Sequence, residues 1–271
     1  MASTPPGTHG RAKRSLGQNF LVDQNLQRKI VSALGAGVDD EVLEVGPGRG
    51  ALTQHLIGTV RHLTLVELDD DLAASLEQEN ADRDDVSVIH GDVLKVPMDR
   101  LTSDGSLRVI GNIPYNITTP IIFRFLERPR PMDMIFMVQA EVADRIVAPV
   151  GTKAYGALSI GVRSVARVQR LFKVSRGAFR PVPGVDSAII RITPLQPEPL
   201  EAGDELRLRR VVRSCFQWRR KQLRRILRDH PELGYTVDVA ERAAAAAECT
   251  LDERPERLSP DQFCRLALAL P

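Results

Sequence analysis

Three glycines fall within five positions, Gly46-Pro-Gly48-Arg-Gly50, behind a short apolar run and just before a helical pattern, with Glu44 opening the motif. Glycine allows a tight turn and close approach of a ligand to the main chain, and a helix N-terminus offers N–H groups without partners of their own. Read as G-x-G-x-x-A through Ala51, the loop also fits a dinucleotide fingerprint. Two acids sharpen it. Glu67 closes the second strand pattern, where a carboxylate can accept both hydroxyls of a ribose. Asp92, in Gly91-Asp92-Val93, closes the third, where it can receive the exocyclic amine of an adenine ring or simply cap the turn that follows.

The elements that must hold these residues alternate. Apolar runs at Glu41–Val45, His62–Leu68, Val86–His90, Leu107–Gly111 and Met134–Val138 read as strands. Helical segments lie between them near Ala51–Ile57, Asp70–Gln78, Thr119–Leu126 and Ala140–Val147, and an earlier helix over Leu26–Leu34 ends at Gly35. Strands alternating with helices at this pitch build βαβ units and a mainly parallel, doubly wound sheet. Arg167–Val174 and Ser187–Thr193 follow without a clear helix between them, which predicts an antiparallel edge hairpin. Three prolines in Pro194-Leu-Gln-Pro-Glu-Pro199 make a stiff linker. Beyond it, Glu205–Phe216, Arg219–Arg228, Val237–Ala247 and Pro260–Leu270 read as helices, the last with Ser259 as N-cap and proline at the first helical position. The division expected is a flexible arm over 1–15, an α/β domain over 16–195 and an all-helical domain over 200–271.

Composition bounds the rest. The chain has 271 residues, 43% of them hydrophobic and 27% charged, enough for a sizeable core. No apolar run approaches the roughly 20 residues of a bilayer span, and no apolar h-region follows the basic start, so a cytoplasmic protein without a membrane anchor is expected. Cys215, Cys249 and Cys264 are too widely spaced to make a metal pattern and read as free thiols; no metal is expected. The net charge is only +2, yet residues 161–230 carry 17 Lys and Arg against 6 Asp and Glu. Most are arginine, which suits phosphate forks and base stacking, so this stretch points to a polyanion and in particular to nucleic acid.

The glycine loop, Glu67 and Asp92 together resemble the S-adenosylmethionine site of the class I methyltransferases, with their Rossmann-like sheet. Gly111-Asn112-Ile113-Pro114-Tyr115-Asn116 in turn resembles the (Asn/Asp)-Pro-Pro-Tyr motif of methyltransferases that act on exocyclic amino groups of bases. The chemistry accounts for the residue types. An adenine N6 has its lone pair conjugated into the ring and is a poor nucleophile. The amide oxygen of Asn112 and a backbone carbonyl near Ile113 can accept its hydrogens, aim the lone pair at a methyl group and stabilise the transition state with fixed dipoles. Tyr115 can stack on the flipped base.

Over almost its whole length the chain resembles the small-subunit ribosomal RNA adenine dimethyltransferase family. The matching stretches are Gly17-Gln-Asn19-Phe-Leu21-Val-Asp23, Glu44–Gly50, Val66-Glu67-Leu68-Asp69, Gly91-Asp92-Val93, Gly111–Tyr115, Phe179-Arg-Pro181-Val-Pro183-Gly-Val-Asp-Ser187 and Phe216-Gln-Trp-Arg219-Arg220-Lys221. The resemblance implies transfer of methyl groups from S-adenosylmethionine to N6 of two adjacent adenosines in the 3′-terminal hairpin loop of 16S rRNA, within a partly assembled 30S subunit; a monomer is expected. It implies cofactor contacts at Asn19, Leu21, Gly46, Gly48, Glu67, Asp92 and Asn112. It implies catalysis around Asn112, Pro114 and Tyr115, with Phe179 as a second stacking surface or else a core aromatic. Arg219, Arg220, Lys221, Arg224 and Arg225 are expected along one helix as an RNA-phosphate face, with Leu223, Ile226 and Leu227 turned to the core. Two other readings stay open at this point: a large-subunit rRNA dimethyltransferase of the macrolide-resistance type, and a non-catalytic assembly factor on the same fold.

Overall fold

The computed structural model describes residues 18–101 and 107–271; the arm expected over 1–15, and Gly17 of the first motif, lie outside them. The sequence of elements is β1 (Phe20–Leu21), α1 (Gln24–Leu34), β2 (Glu41–Val45), α2 (Thr53–Leu56), β3 (His62–Glu67), α3 (Asp70–Glu79), β4 (Val86–His90), β5 (Leu107–Asn112), α4 (Thr118–Phe125), β6 (Asp133–Gln139) and α5 (Ala140–Ile146). It continues with α6 (Ala157–Arg163), β7 (Ala166–Val174), β8 (Phe179–Arg180), β9 (Ser187–Pro194), α7 (Ala202–Gln217), α8 (Leu223–Asp229), α9 (Val237–Ala246) and α10 (Pro260–Ala269). Helix α1 begins two residues ahead of the apolar stripe because the Asp23 side chain caps it, accepting from Leu26 N at 3.0 Å, and it ends where Gly35 turns left-handed at φ 65°.

Seven strands form one sheet in the order β4-β3-β2-β5-β6-β9-β7. Strands β2 to β6 are parallel, and β9 runs antiparallel to β6. The central strands carry near-continuous apolar runs, such as Met134-Ile-Phe-Met-Val138, which suits strands covered by helices on both faces. A bond from Leu195 N to Val165 O ties the far ends of β7 and β9 (2.9 Å), completing the expected edge hairpin. Strands β1 and β8 pair separately as a two-residue antiparallel ribbon that the hydrophobic pattern did not reveal.

Contacts divide the chain into two units. One runs to Ala140 and takes in Arg170–Ile192; the other consists of Glu141–Gln169 and Thr193–Pro271. Residues 141–169, placed by the sequence reading in the α/β domain, therefore pack with the C-terminal helices. Ala148, Tyr155 and Ile160 share a buried cluster with Leu208, Phe263 and Leu266, and the Tyr155 hydroxyl donates to Leu258 O at 2.8 Å. Helix α6, inside this stretch, is not predicted by the hydrophobic pattern. The single helix expected over Arg219–Arg228 is also different in fact. Lys221 N donates to Trp218 O (2.8 Å), closing a turn, and Gln222 is extended, so α8 starts only at Leu223. Its buried face is the expected one, Leu223, Ile226 and Leu227, each worth roughly 1.5–3 kcal/mol when withdrawn from water.

Candidate functional site

From β2 the chain winds outward through β3 and β4, then returns to lay β5 and β6 on the other side. The sheet order thus reverses between β2 and β5, and in open α/β sheets a ligand crevice forms at the carboxyl ends of such a pair. Both sharp motifs emerge there. Val45 pairs with Gly111, so the glycine loop and Asn112 leave the sheet side by side. A Cβ at position 111 would stand 2.8 Å from Val45 O, so only glycine lets β5 lie this close to β2. Gly46, Gly48 and Gly50 turn back with φ of 64°, 59° and 71°, a region side chains disfavour. A cavity of about 320 Å³ opens here, and Asn19, Leu21, Gly46, Gly48, Glu67, Asp92, Asn112, Pro114 and Tyr115 all line it.

Glu67, at the end of β3, is buried and anchors the loop. Gly48 N donates to its Oε2 at 2.9 Å, while Leu68 N and Asp69 N donate to Oε1 at 2.9 and 3.0 Å. A carboxylate has about four lone-pair sites. Three are taken, and the one left, on Oε2, can accept a ribose hydroxyl; accepting both hydroxyls requires one N–H to give way. Asp92 caps the turn and also faces the cavity. Its Oδ1 caps the turn by accepting from Leu94 N (3.0 Å), its Oδ2 lies 3.6 Å from Lys95 Nζ, and the residue lines the cavity.

Asn112 Nδ2 donates to the carbonyl of Asn19 at 3.1 Å. With the nitrogen end spoken for, Oδ1 is the end available as acceptor. The Pro114 carbonyl is committed to Ile117 N (3.1 Å) and Thr118 Oγ1 (3.3 Å), so a main-chain acceptor for a second hydrogen falls to Ile113. The Tyr115 hydroxyl shares a hydrogen bond with Ser187 Oγ at 2.6 Å; burial, outweighing that bond, raises its pKa.

Three further residues shape the site although no contact is expected of them from the sequence. Phe20 packs on Gly48, with Arg49 stacked 4.2 Å from its ring centroid. Gln27, on the buried face of α1, donates to Leu21 O at 3.0 Å and so seats the segment carrying Asn19. Glu44 was visible as the acid opening the glycine motif, and it proves to be a cavity residue almost fully withdrawn from solvent. Burial pushes its carboxyl up to about 8; Thr53 Oγ1, donating at 2.7 Å, opposes the shift and the nearby Glu67 charge adds to it. The folded chain therefore keeps a proton that the unfolded chain gives up near 4.5. This group's contribution to stability is full below that pH and is lost as pH rises toward about 8, at up to about 1.4 kcal/mol per pH unit. Glu44→Gln should flatten the pH dependence of the melting temperature over that window. An unchanged dependence would mean that Glu44 is charged throughout.

Two expectations need correction. Phe179 is 0% exposed, packed with Leu21, Val174 and Ile189 in the core, and does not line the cavity. Its place in β8, paired with Leu21, turns the ring inward, so it acts here as the core aromatic. The basic series is not one helical face either. Arg219 donates to the carbonyls of Lys153 (3.0 Å) and Thr152 (3.1 Å) and lies 3.7 Å from Glu256. Arg224 lies 3.7 Å from both Glu241 and Asp252, and Arg225 lies 3.8 Å from Asp229. Arg220 and Lys221 stand exposed in the turn before α8. Among the described residues no group of three His, Cys, Asp or Glu could hold a metal, and no helix is long and apolar enough to cross a membrane.

Comparison with known proteins gives a consistent result. The family model for ribosomal RNA adenine dimethylase matches residues 9–269. The ribosomal RNA small subunit methyltransferase A of Pseudomonas putida is 43% identical over 259 residues, covering 95% of this chain and 94% of that protein. The protein of the same name from Pseudomonas aeruginosa is 44% identical over the same length. Among solved structures, the 23S rRNA methyltransferase ErmE is similar with a TM-score of 0.70 and 29% identity, over 93% of this chain and 99% of that one. A dimethyladenosine transferase from Plasmodium falciparum has a TM-score of 0.77, with 91% and 95% covered, and at 24% identity shows the shared fold.

Proposed function

Because the chain belongs to the ribosomal RNA adenine dimethylase family, we propose that it dimethylates N6 of the two adjacent adenosines in the 3′-terminal hairpin loop of 16S rRNA. It is an S-adenosylmethionine-dependent rRNA adenine dimethyltransferase. The observation that carries the reading is one cavity in which the glycine loop, Glu67 and Asp92 meet Asn112 and Tyr115. The partly assembled 30S subunit as substrate, a monomeric enzyme, the absence of a metal and a cytoplasmic location belong to the same proposal.

The residues present suit the methyl donor. The free lone pair on Glu67 Oε2 and the cavity-facing Asp92 match a ribose and an adenine amine, and the bare glycine main chain leaves room beside them. When bound, S-adenosylmethionine supplies an electrophilic methyl group on a sulfonium. The protein's own part is placement. Asn112 Oδ1 and the Ile113 carbonyl accept hydrogens of the target N6 and turn its lone pair out of conjugation. Tyr115 supplies the stacking face for an extruded base. No strong base is needed, since nitrogen becomes acidic once it carries the incoming methyl and a positive charge.

The helical segment 200–271 is proposed to hold RNA phosphates through Arg219, Arg220, Lys221, Arg224 and Arg225. The exposed pair Arg220 and Lys221 is the better placed; Arg219 is occupied in holding 152–153. Replacing Arg220 and Lys221 by alanine should lower the slope of log affinity against log salt by about 1.4–1.8, two phosphate contacts' worth, with cofactor affinity intact. An unchanged slope would return this turn to a plain solvated surface.

The deciding experiment is transfer of tritiated methyl groups to undermethylated small subunits and, in parallel, to large subunits, with nuclease mapping of the label. Label in the 3′-terminal hairpin of the small-subunit RNA is the expected outcome. Label confined to large subunits would favour the ErmE-like reading, and no label on either would favour an assembly factor.

A further inference from the structure

Tyr115 sits within the turn that follows β5, where Ile117 N donates to Pro114 O at 3.1 Å, and a tyrosine there has two free torsions with which to swing its ring. Its far end, however, is tied across the site. Ser187 Oγ, 2.6 Å from the phenol oxygen, belongs to the first residue of β9 and is fully buried. The serine itself cannot drift. It pairs with Gln139 at the end of β6, the carbonyl of neighbouring Asp186 accepts from Ala140 N at 3.0 Å, and Asp186 Oδ1 accepts from Arg176 N at 3.1 Å. We propose that Ser187 is a positioning residue for the reaction, fixing the plane of the Tyr115 ring so that a target base meets a stationary stacking face. The inference rests on the reading of Tyr115 as that face.

Two physical consequences follow from one bond. Freezing the ring before the base arrives removes an ordering cost that would otherwise be met at binding. Committing the phenol to Ser187 also keeps a mobile O–H away from the base edge, so the ring offers a hydrocarbon face and the polar contacts are left to Asn112 and the main chain. The Pro181–Ser187 loop thereby acts on the chemistry through Tyr115, although Phe179 in the strand just before it is buried in the core.

The test is a double-mutant cycle on the full-length enzyme, measuring single-turnover methylation of undermethylated small subunits at saturating S-adenosylmethionine. Ser187→Ala and Tyr115→Phe should each slow transfer about three- to tenfold, the scale of one hydrogen bond. Combined, they should be no slower than the worse single variant, because either change breaks the same bond. Cofactor affinity should be unaltered. Effects that multiply in the double variant, or a native rate in Ser187→Ala even where its melting temperature falls, would overturn the proposal. Tyr115→Ala, run alongside, separates the two levels. A slow Tyr115→Ala with native Tyr115→Phe and Ser187→Ala sinks only the anchor, whereas a native Tyr115→Ala sinks the stacking reading itself.

Discussion

Asn112→Ala is expected to lower the single-turnover rate of methyl transfer by about 10²–10³, the loss seen when one preorganised polar group is removed from a transition state. The structure narrows what the alanine removes. Asn112 Nδ2 is held by the Asn19 carbonyl, so its Oδ1 points a fixed dipole rather than a free one. Both methyl transfers should suffer, because the monomethylated amine still has one hydrogen to be held. Subunit binding should survive, and saturating S-adenosylmethionine keeps any lost cofactor contact out of the rate. Asn112→Asp is the finer probe. It keeps an acceptor but has no donor for Asn19 and sets an oxygen against that carbonyl, so its rate should fall between those of alanine and asparagine. A near-native rate for the alanine variant would reduce Asn112 to a turn residue.

The second large effect is expected at Glu67. Glu67→Ala should weaken S-adenosylmethionine binding by about 1.5–3 kcal/mol, roughly 10- to 150-fold, for loss of a hydrogen bond to a charged group. It should also lower the melting temperature, since Gly48, Leu68 and Asp69 lose the acceptor of their N–H groups together. The joint loss distinguishes a carboxylate that both binds the ligand and shapes the loop from one that only touches the ligand. Calorimetry with an unchanged affinity, or with tight binding of NAD, would sink the assignment of this site.

The parallel core was legible in the sequence because β2, β3, β4, β5 and β6 are short apolar runs separated by helices of ordinary length. The site was legible because its chemistry sits at their ends: Gly46, Glu67, Asp92 and Asn112 each terminate or follow a strand. What escaped has physical reasons. β1 and β8 are two residues each, too short for any periodicity, and they form only because each finds the other. In α6, Ala157-Leu-Ser-Ile-Gly-Val-Arg163, β-branched residues and a mid-helix glycine weaken the local preference; packing against the other helices of its unit overrides it. Arg219–Lys221 have good helical propensity and yet make a turn, since Arg219 is drawn to the carbonyls of 152 and 153. Phe179 could be read as surface or core from its motif, and only the pairing of β8 with β1 decides that its ring faces inward.

That same two-residue ribbon bears on the order in which the enzyme becomes competent during translation. The stretch that seats Asn19 against Asn112 is made well before its clamp, Phe179–Arg180 with Ala178 O accepting from Val22 N at 2.9 Å, which lies about 160 residues downstream. The strands β2 to β5 can assemble as they leave the ribosome, since sequential parallel units need only their neighbours. The N-terminal wall of the pocket cannot, because a loop of that length must close first. A nascent chain halted before residue 178 should therefore have most of its sheet and little affinity for the methyl donor. The last turn of this lock is supplied by the ribosome's own delay in reaching it.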